Sequence, residues 1–145
     1  MSSNQDAEQT TPLTLVSIPQ GITVALHRAR IRPGMEHEAT EWMQMLNDRL
    51  DEAVDTLARE RMAIEMVFRS SEPDGDYLTW VTVRGQGESV ESSNHQLDID
   101  HVAYDQRVRE PGWIVAEPQL LLLPKPVRDA VYRWATQVTP CDPRH

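Results

Sequence analysis

The chain has a single cysteine, Cys141, in 145 residues, so no disulfide can close within it and no cysteine cluster can hold zinc. Basic charge is scarce as well: 14 Lys and Arg stand against 23 Asp and Glu, a net charge of -9. That balance argues against a general affinity for nucleic acid or anionic membrane, since both require a surplus of cations. No apolar run approaches the roughly 20 residues that span a bilayer. The opening stretch, MSSNQDAEQTTP, has neither a basic start nor a continuous apolar segment and does not read as a secretory signal. Neither G-x-x-x-x-G-K-[ST] nor G-x-G-x-x-G occurs, and Gly85-Gln86-Gly87 is too short for a phosphate loop. A cytoplasmic protein with no nucleic-acid or membrane partner is expected.

What is present is strong patterning between residues 51 and 83. Residues 63–70 alternate, with Ile64, Met66 and Phe68 on one side and Ala63, Glu65, Val67 and Arg69 on the other. Residues 77–84 (YLTWVTVR) are a second run of aromatic and β-branched side chains. Pro73 and Gly75 between them supply the dihedral preferences of a tight turn, so an antiparallel hairpin is predicted. Glu65 and Arg69 flank Val67 on one face. That face is either exposed to solvent or turned to a polar cavity.

Around the hairpin, residues 1–20 are expected to be a flexible tail, in which 13–18 could form a short strand before Pro19 and Gly21. Residues 22–32 (ITVALHRARIR) read as the first main strand, ended by Pro33-Gly34. From Met35 the period becomes helical: Met35, Ala39, Trp42, Met43, Leu46, Leu50, Ala53, Val54 and Leu57 form one stripe. One continuous helix of about seven turns, ending near Arg61, is predicted. Arg49, Glu52, Thr56 and Glu60 line its boundary, as a solvated ion-pair ladder or as part of a site. Residues 89–109 form the second predicted helix, with Leu97, His101, Tyr104 and Val108 on its semi-buried stripe and Asp98 and Asp105 within a turn of His101. Residues 113–116 and 119–123 (QLLLL) are strand material interrupted by Pro118, the second piece read as a fully buried strand. Residues 127–138 complete the chain as a short helix before the tail.

The order strand, helix, strand, strand, helix, strand predicts an α+β sandwich over residues 21–124, with a C-terminal helix and tail over 125–145. Its four-stranded antiparallel sheet carries helices on one face. The other face needs a cover, and a second copy across a two-fold axis supplies one.

Convergent polar residues define the candidate site. His27, Glu65 and His101 are the candidate catalytic groups; Trp80, Tyr77, Asp105 and Tyr104 are the candidate substrate-binding groups. A histidine beside a carboxylate makes an acid–base pair, because imidazole titrates near neutral pH and burial raises a carboxylate toward it. Each residue also has a structural reading: Trp80 as core, His101 as a hydrogen-bonded helix residue, Glu65 as the partner of Arg69 or of an arginine on the first strand. His27, Glu65 and His101 could in principle form a metal set, but no spacing signature supports it, and neither metal nor cofactor is expected. His37, His95 and His145 read as surface residues.

The run RLDEAVDTLARERMAIEMVF followed by DYLTW resembles a family of small uncharacterised microbial proteins in the dimeric α/β-barrel superfamily of ferredoxin-like proteins. Ser92 or Ser93 and the Asp98-x-x-His101 pair match that family's second helix, and the resemblance covers roughly residues 22–123. It implies a ferredoxin-like βαββαβ fold and a homodimer. The superfamily includes cofactor-free monooxygenases, polyketide cyclases, muconolactone isomerases and rhamnose mutarotases. The mutarotases place a Tyr and a His early in the first helix, where this chain has Pro33 or Gly34 and His37. The monooxygenases pair a Trp on the third strand with a His on the second helix, matched by Trp80 and His101, and an Asn on the first strand, where His27 stands. A cofactor-independent isomerase, cyclase or monooxygenase acting on a small organic substrate is the resulting expectation. The alternative is a non-catalytic ligand-binding or structural dimer.

Overall fold

The computed structural model describes residues 16–137. The expected tail up to residue 15, the start of the 13–18 strand, Cys141 and His145 lie outside them; Val16, Ser17 and Ile18 are turn and bend rather than strand. The hairpin forms where its alternation places it. Its strands β2 (Met62–Glu72) and β3 (Gly75–Arg84) pair antiparallel up to Glu72 opposite Gly75, leaving Pro73 and Asp74 as the loop. The pairing thus runs closer to the turn than the sequence predicts. Gly75 takes a φ of 139°, which side-chain-bearing residues rarely adopt.

Strand β1 (Thr23–Arg30) pairs antiparallel with β3 on one side and with β4 (Ile114–Ala116) on the other, so the sheet order is β2-β3-β1-β4. The fold is α+β, an open four-stranded antiparallel sheet with helices packed on it.

The single long helix of the sequence reading is two helices, α1 (Glu36–Asp48) and α2 (Leu50–Glu60). They break at Arg49, with φ -108° and ψ 40°. Arg49 there donates to both carboxylate oxygens of Glu52 and, at 2.7 Å, to Asp100. The apolar stripe diverges at the same point: Ala39 and Trp42 on α1 are fully buried, while Leu50 and Val54 on α2 are exposed. Helix α3 (Gln96–Val108) starts later than the predicted 89–109, because His95 caps it by accepting the Leu97 N–H at 3.2 Å. Residues Val90–Ser92 before it form one 3-10 turn.

The predicted buried strand at 119–123 is not formed. Pro118 offers no N–H to a ladder, Leu121 N–H donates instead to Ser17 Oγ, and Leu120 and Leu122 are exposed. Helix α4 (Lys125–Thr136) follows, starting slightly earlier than the predicted 127.

Helices α1 and α3 cover one sheet face, where Ile31, Ala39, Trp42, Leu78, Trp80 and Val108 form the core. α4 lies against the other, through Ala135 packed with Ile22 and Val83 and through Trp134 Nε1, which donates to Met62 O at 2.8 Å. Gly85 makes that contact possible: a Cβ there would meet Ala135 O at 1.8 Å. Beyond α4 this outer face is open, with Met66, Phe68 and Ile114 exposed. Among the described residues no helix is long and apolar enough to cross a membrane.

Candidate functional site

Alternation along the strands decides what enters the inner layer. His27 lies opposite Trp80, Glu65 opposite Thr82, and Thr82 opposite Ala25, so all five share one face of the sheet. This is the face roofed by helices, not the solvent. Between it and α2, α3 and the 89–91 turn is a cavity of about 650 Å3. Glu65 reaches into it from β2, Trp80 and Thr82 from β3, His27 from β1, Glu60 from the last turn of α2, and Asp98, His101 and Asp105 from α3. Gly87 holds the following loop against the end of α2, since a Cβ there would lie 2.3 Å from the Glu60 carbonyl carbon.

Three of these side chains are carboxylates with no ion-pair partner among the described residues. Glu60 and Asp98 are 8% and 4% exposed, and neither they nor Glu65 make an ion pair or side-chain hydrogen bond with another described residue. Desolvation penalises the charged form of Glu60, and the Glu65 and Asp98 charges add to it, so its carboxyl is pushed up to about 7 despite the opposing pull of Arg59 and Arg84. Glu65 is likewise raised, by desolvation first and by Asp98 second. Its side chain is accessible, but the space it meets is the cavity interior. Arg84 is exposed at the rim.

His101 is held differently. Trp42 Nε1 donates to its Nδ1 at 2.9 Å. Indole N–H is a donor only, so Nδ1 carries the lone pair and the neutral ring keeps its proton on Nε2. Burial lowers the pKa of His101, against the upward pull of Asp105, Asp98 and Glu91. Its one acceptor nitrogen is therefore occupied, and it serves the cavity as a neutral hydrogen-bond donor.

An aromatic wall closes the other side. Trp113 meets Trp80 edge-on at 5.6 Å and His27 at 5.7 Å between ring centroids. Arg109 lies 3.9 Å over Trp113 while its Nε donates to Asp105 at 2.6 Å and its Nη2 to the second carboxylate oxygen. Asp105 thus lines the cavity as the anchor of Arg109, with its charge already compensated.

The structure brings together His27, Glu65, Trp80, His101 and Asp105. It does not bring Tyr77 or Tyr104 to them. Tyr77 pairs with Arg30 across the sheet and so faces outward, where it bonds Asp74 and carries Arg28 on its ring. Tyr104 stacks on Trp42 and under Arg107, in the core rather than the cavity. Thr82 is an addition that the sequence reading did not select; Glu60 appeared there only within the boundary row of the first helix, and Asp98 only as a neighbour of His101. Among the described residues no three His, Cys, Asp or Glu side chains are grouped so as to hold a metal ion.

Residues 22–129 match a family described as a family of unknown function, DUF6176. No curated protein matches the chain.

Proposed function

This chain belongs to the DUF6176 family, and we propose that it is a cofactor-independent enzyme of isomerase or cyclase type, moving protons on a small organic substrate in the sheet–helix cavity. The observation that carries the reading is the pairing of Glu60 and Glu65, two carboxyls raised toward neutrality in one cavity with neither committed to a cation. Carboxyls that exchange protons at neutral pH are shifted in this direction. In the proposed step a substrate carbonyl accepts the His101 Nε2–H while Glu65 removes a proton from the adjacent carbon. Glu65 then returns the proton at the new position. Trp80 and Trp113 hold the apolar part of the substrate. A cofactor-free oxygenation would begin with the same deprotonation.

The strand order and the helical crossovers on one face support a ferredoxin-like fold of the dimeric α/β-barrel type. Exposed Met66, Phe68 and Ile114 support pairing of two outer faces in a homodimer. A purely structural role would favour a filled interior with Glu65 in an ion pair. The open cavity and uncommitted Glu65 favour catalysis.

The test is deuterium incorporation into a panel of small enolisable ketones and keto acids, followed by NMR in D2O. The wild-type protein is expected to accelerate exchange on at least one compound, and Glu65→Gln to lose about 100-fold or more of that rate. No acceleration over buffer by wild-type protein across the panel would reject the reading.

A further inference from the structure

We infer that the substrate of this cavity carries a positively charged nitrogen, an ammonium group seated among Glu60, Glu65, Asp98 and the Thr82 hydroxyl, with its apolar body against Trp80 and Trp113. The inference rests on the cavity's being the functional site and adds the chemical class of what enters it.

Charge is the first ground. Glu60, Glu65 and Asp98 face one space and have no cationic partner among the described residues, while Asp105 is compensated by Arg109. Arg84, the other arginine lining the cavity, is exposed at the rim and makes no ion pair with any of the three. An anion entering here would meet repulsion that costs far more in a partly desolvated space than in water. A cation would relieve it.

Thr82 is the second and independent ground. It is 9% exposed, it lines the cavity opposite Glu65, and its hydroxyl makes no hydrogen bond with any described residue. The hydroxyl opens on the cavity and is left free to bond what enters it. A hydroxyl can accept an N–H as a carboxylate does, so these groups offer acceptors to each N–H of an ammonium. Among the described residues no three acidic or histidine side chains are grouped so as to hold a metal ion. Trp80 and Trp113, edge to face, give the apolar body of such a ligand a wall to lie against.

The charged groups around Glu60 are Glu65 on β2, Asp98 on α3, Arg84 on β3 and Arg59 on its own helix. Since Glu60 gives up its proton around pH 7, the cation binds more tightly as pH rises through that value.

Isothermal titration with benzylammonium, benzyl alcohol and benzoate tests this. The three share a ring and differ in charge. Saturable binding of benzylammonium at pH 8 is expected, about tenfold or more tighter than benzyl alcohol, with no benzoate binding. Lowering the pH to 6 should weaken the ammonium by about tenfold, the factor for one competing proton. Glu60→Gln, Asp98→Asn and Thr82→Val, each checked for native circular dichroism, should each weaken it. Equal or tighter binding of the alcohol or benzoate, or no saturable benzylammonium binding, overturns the inference. The deuterium-exchange result stands apart: cation binding without exchange sinks the acid–base reading alone, and exchange with a preference for benzoate sinks this one alone.

Discussion

Trp42 fixes the proton of His101: its indole nitrogen donates to Nδ1 at 2.9 Å from a side chain that is fully buried. Trp42→Phe keeps a ring in the core but removes the donor. The freed Nδ1 can then carry the proton, so nitrogen NMR of the imidazole should change from the single Nε2–H tautomer to a mixture. Turnover in the exchange assay should fall with the tautomer while the fold persists. An unchanged NMR signature would remove Trp42 from the mechanism.

Glu60 makes stability pH-dependent in a stated direction. Its carboxyl sits at about 7 when folded against 4.5 as a model group, so between those values the native state holds a proton that the unfolded chain has lost. Stability from this group is therefore greatest below 4.5, declines as pH rises toward 7, and is flat above. Glu60→Gln should raise stability at pH 8 by about 3 kcal/mol at most and change it little at pH 5, as read from urea denaturation at both values. A gain confined to low pH would contradict the assignment.

Gly87→Ala should distort the site from outside it. The new Cβ would sit 2.3 Å and 2.4 Å from the Glu60 carbonyl carbon and oxygen, which are backbone and cannot step aside. A loss of about 1–3 kcal/mol is expected, together with weaker benzylammonium binding. An unperturbed variant would mean that the loop does not press on the end of α2.

Phe68→Asp places a charge on the open sheet face, where Phe68 is 54% exposed. In native mass spectrometry the wild-type protein is expected as a dimer and the variant as a monomer with native circular dichroism. A wild-type monomer would overturn the paired-sheet architecture.

Local pattern made much of this legible. The alternation around Glu65 and the proline–glycine turn carried the hairpin, and the Trp42 and Leu97 stripes carried α1 and α3. The break at Arg49 was not legible, because its partner Asp100 lies on another helix and nothing nearby disrupts the helical period. Residues 119–123 misled because an apolar run reports a preference for burial, whereas a strand also needs N–H donors in register and a partner edge. Glu65 stood out as a carboxylate inside a strand. Glu60 did not, since a glutamate on a charged helix row looks like any other until α3 and β2 close over it. Tyr77 was assigned to the wrong face of β3: it stands three residues before Trp80, an odd spacing that puts the two on opposite sides of the sheet.

The cavity's walls come from β1, the end of α2, β2, β3, α3 and the β4 region, so no fragment of the chain contains a site. A transition state that has formed only the β2–β3 hairpin has no place for a ligand, and ligand added during refolding should leave the folding rate unchanged. It should instead slow unfolding, in proportion to the native-state binding that must be released first. Occupancy of the site is thus a measure of whether the whole chain has reached its native arrangement, and dwell time in that arrangement is what a bound ligand would lengthen.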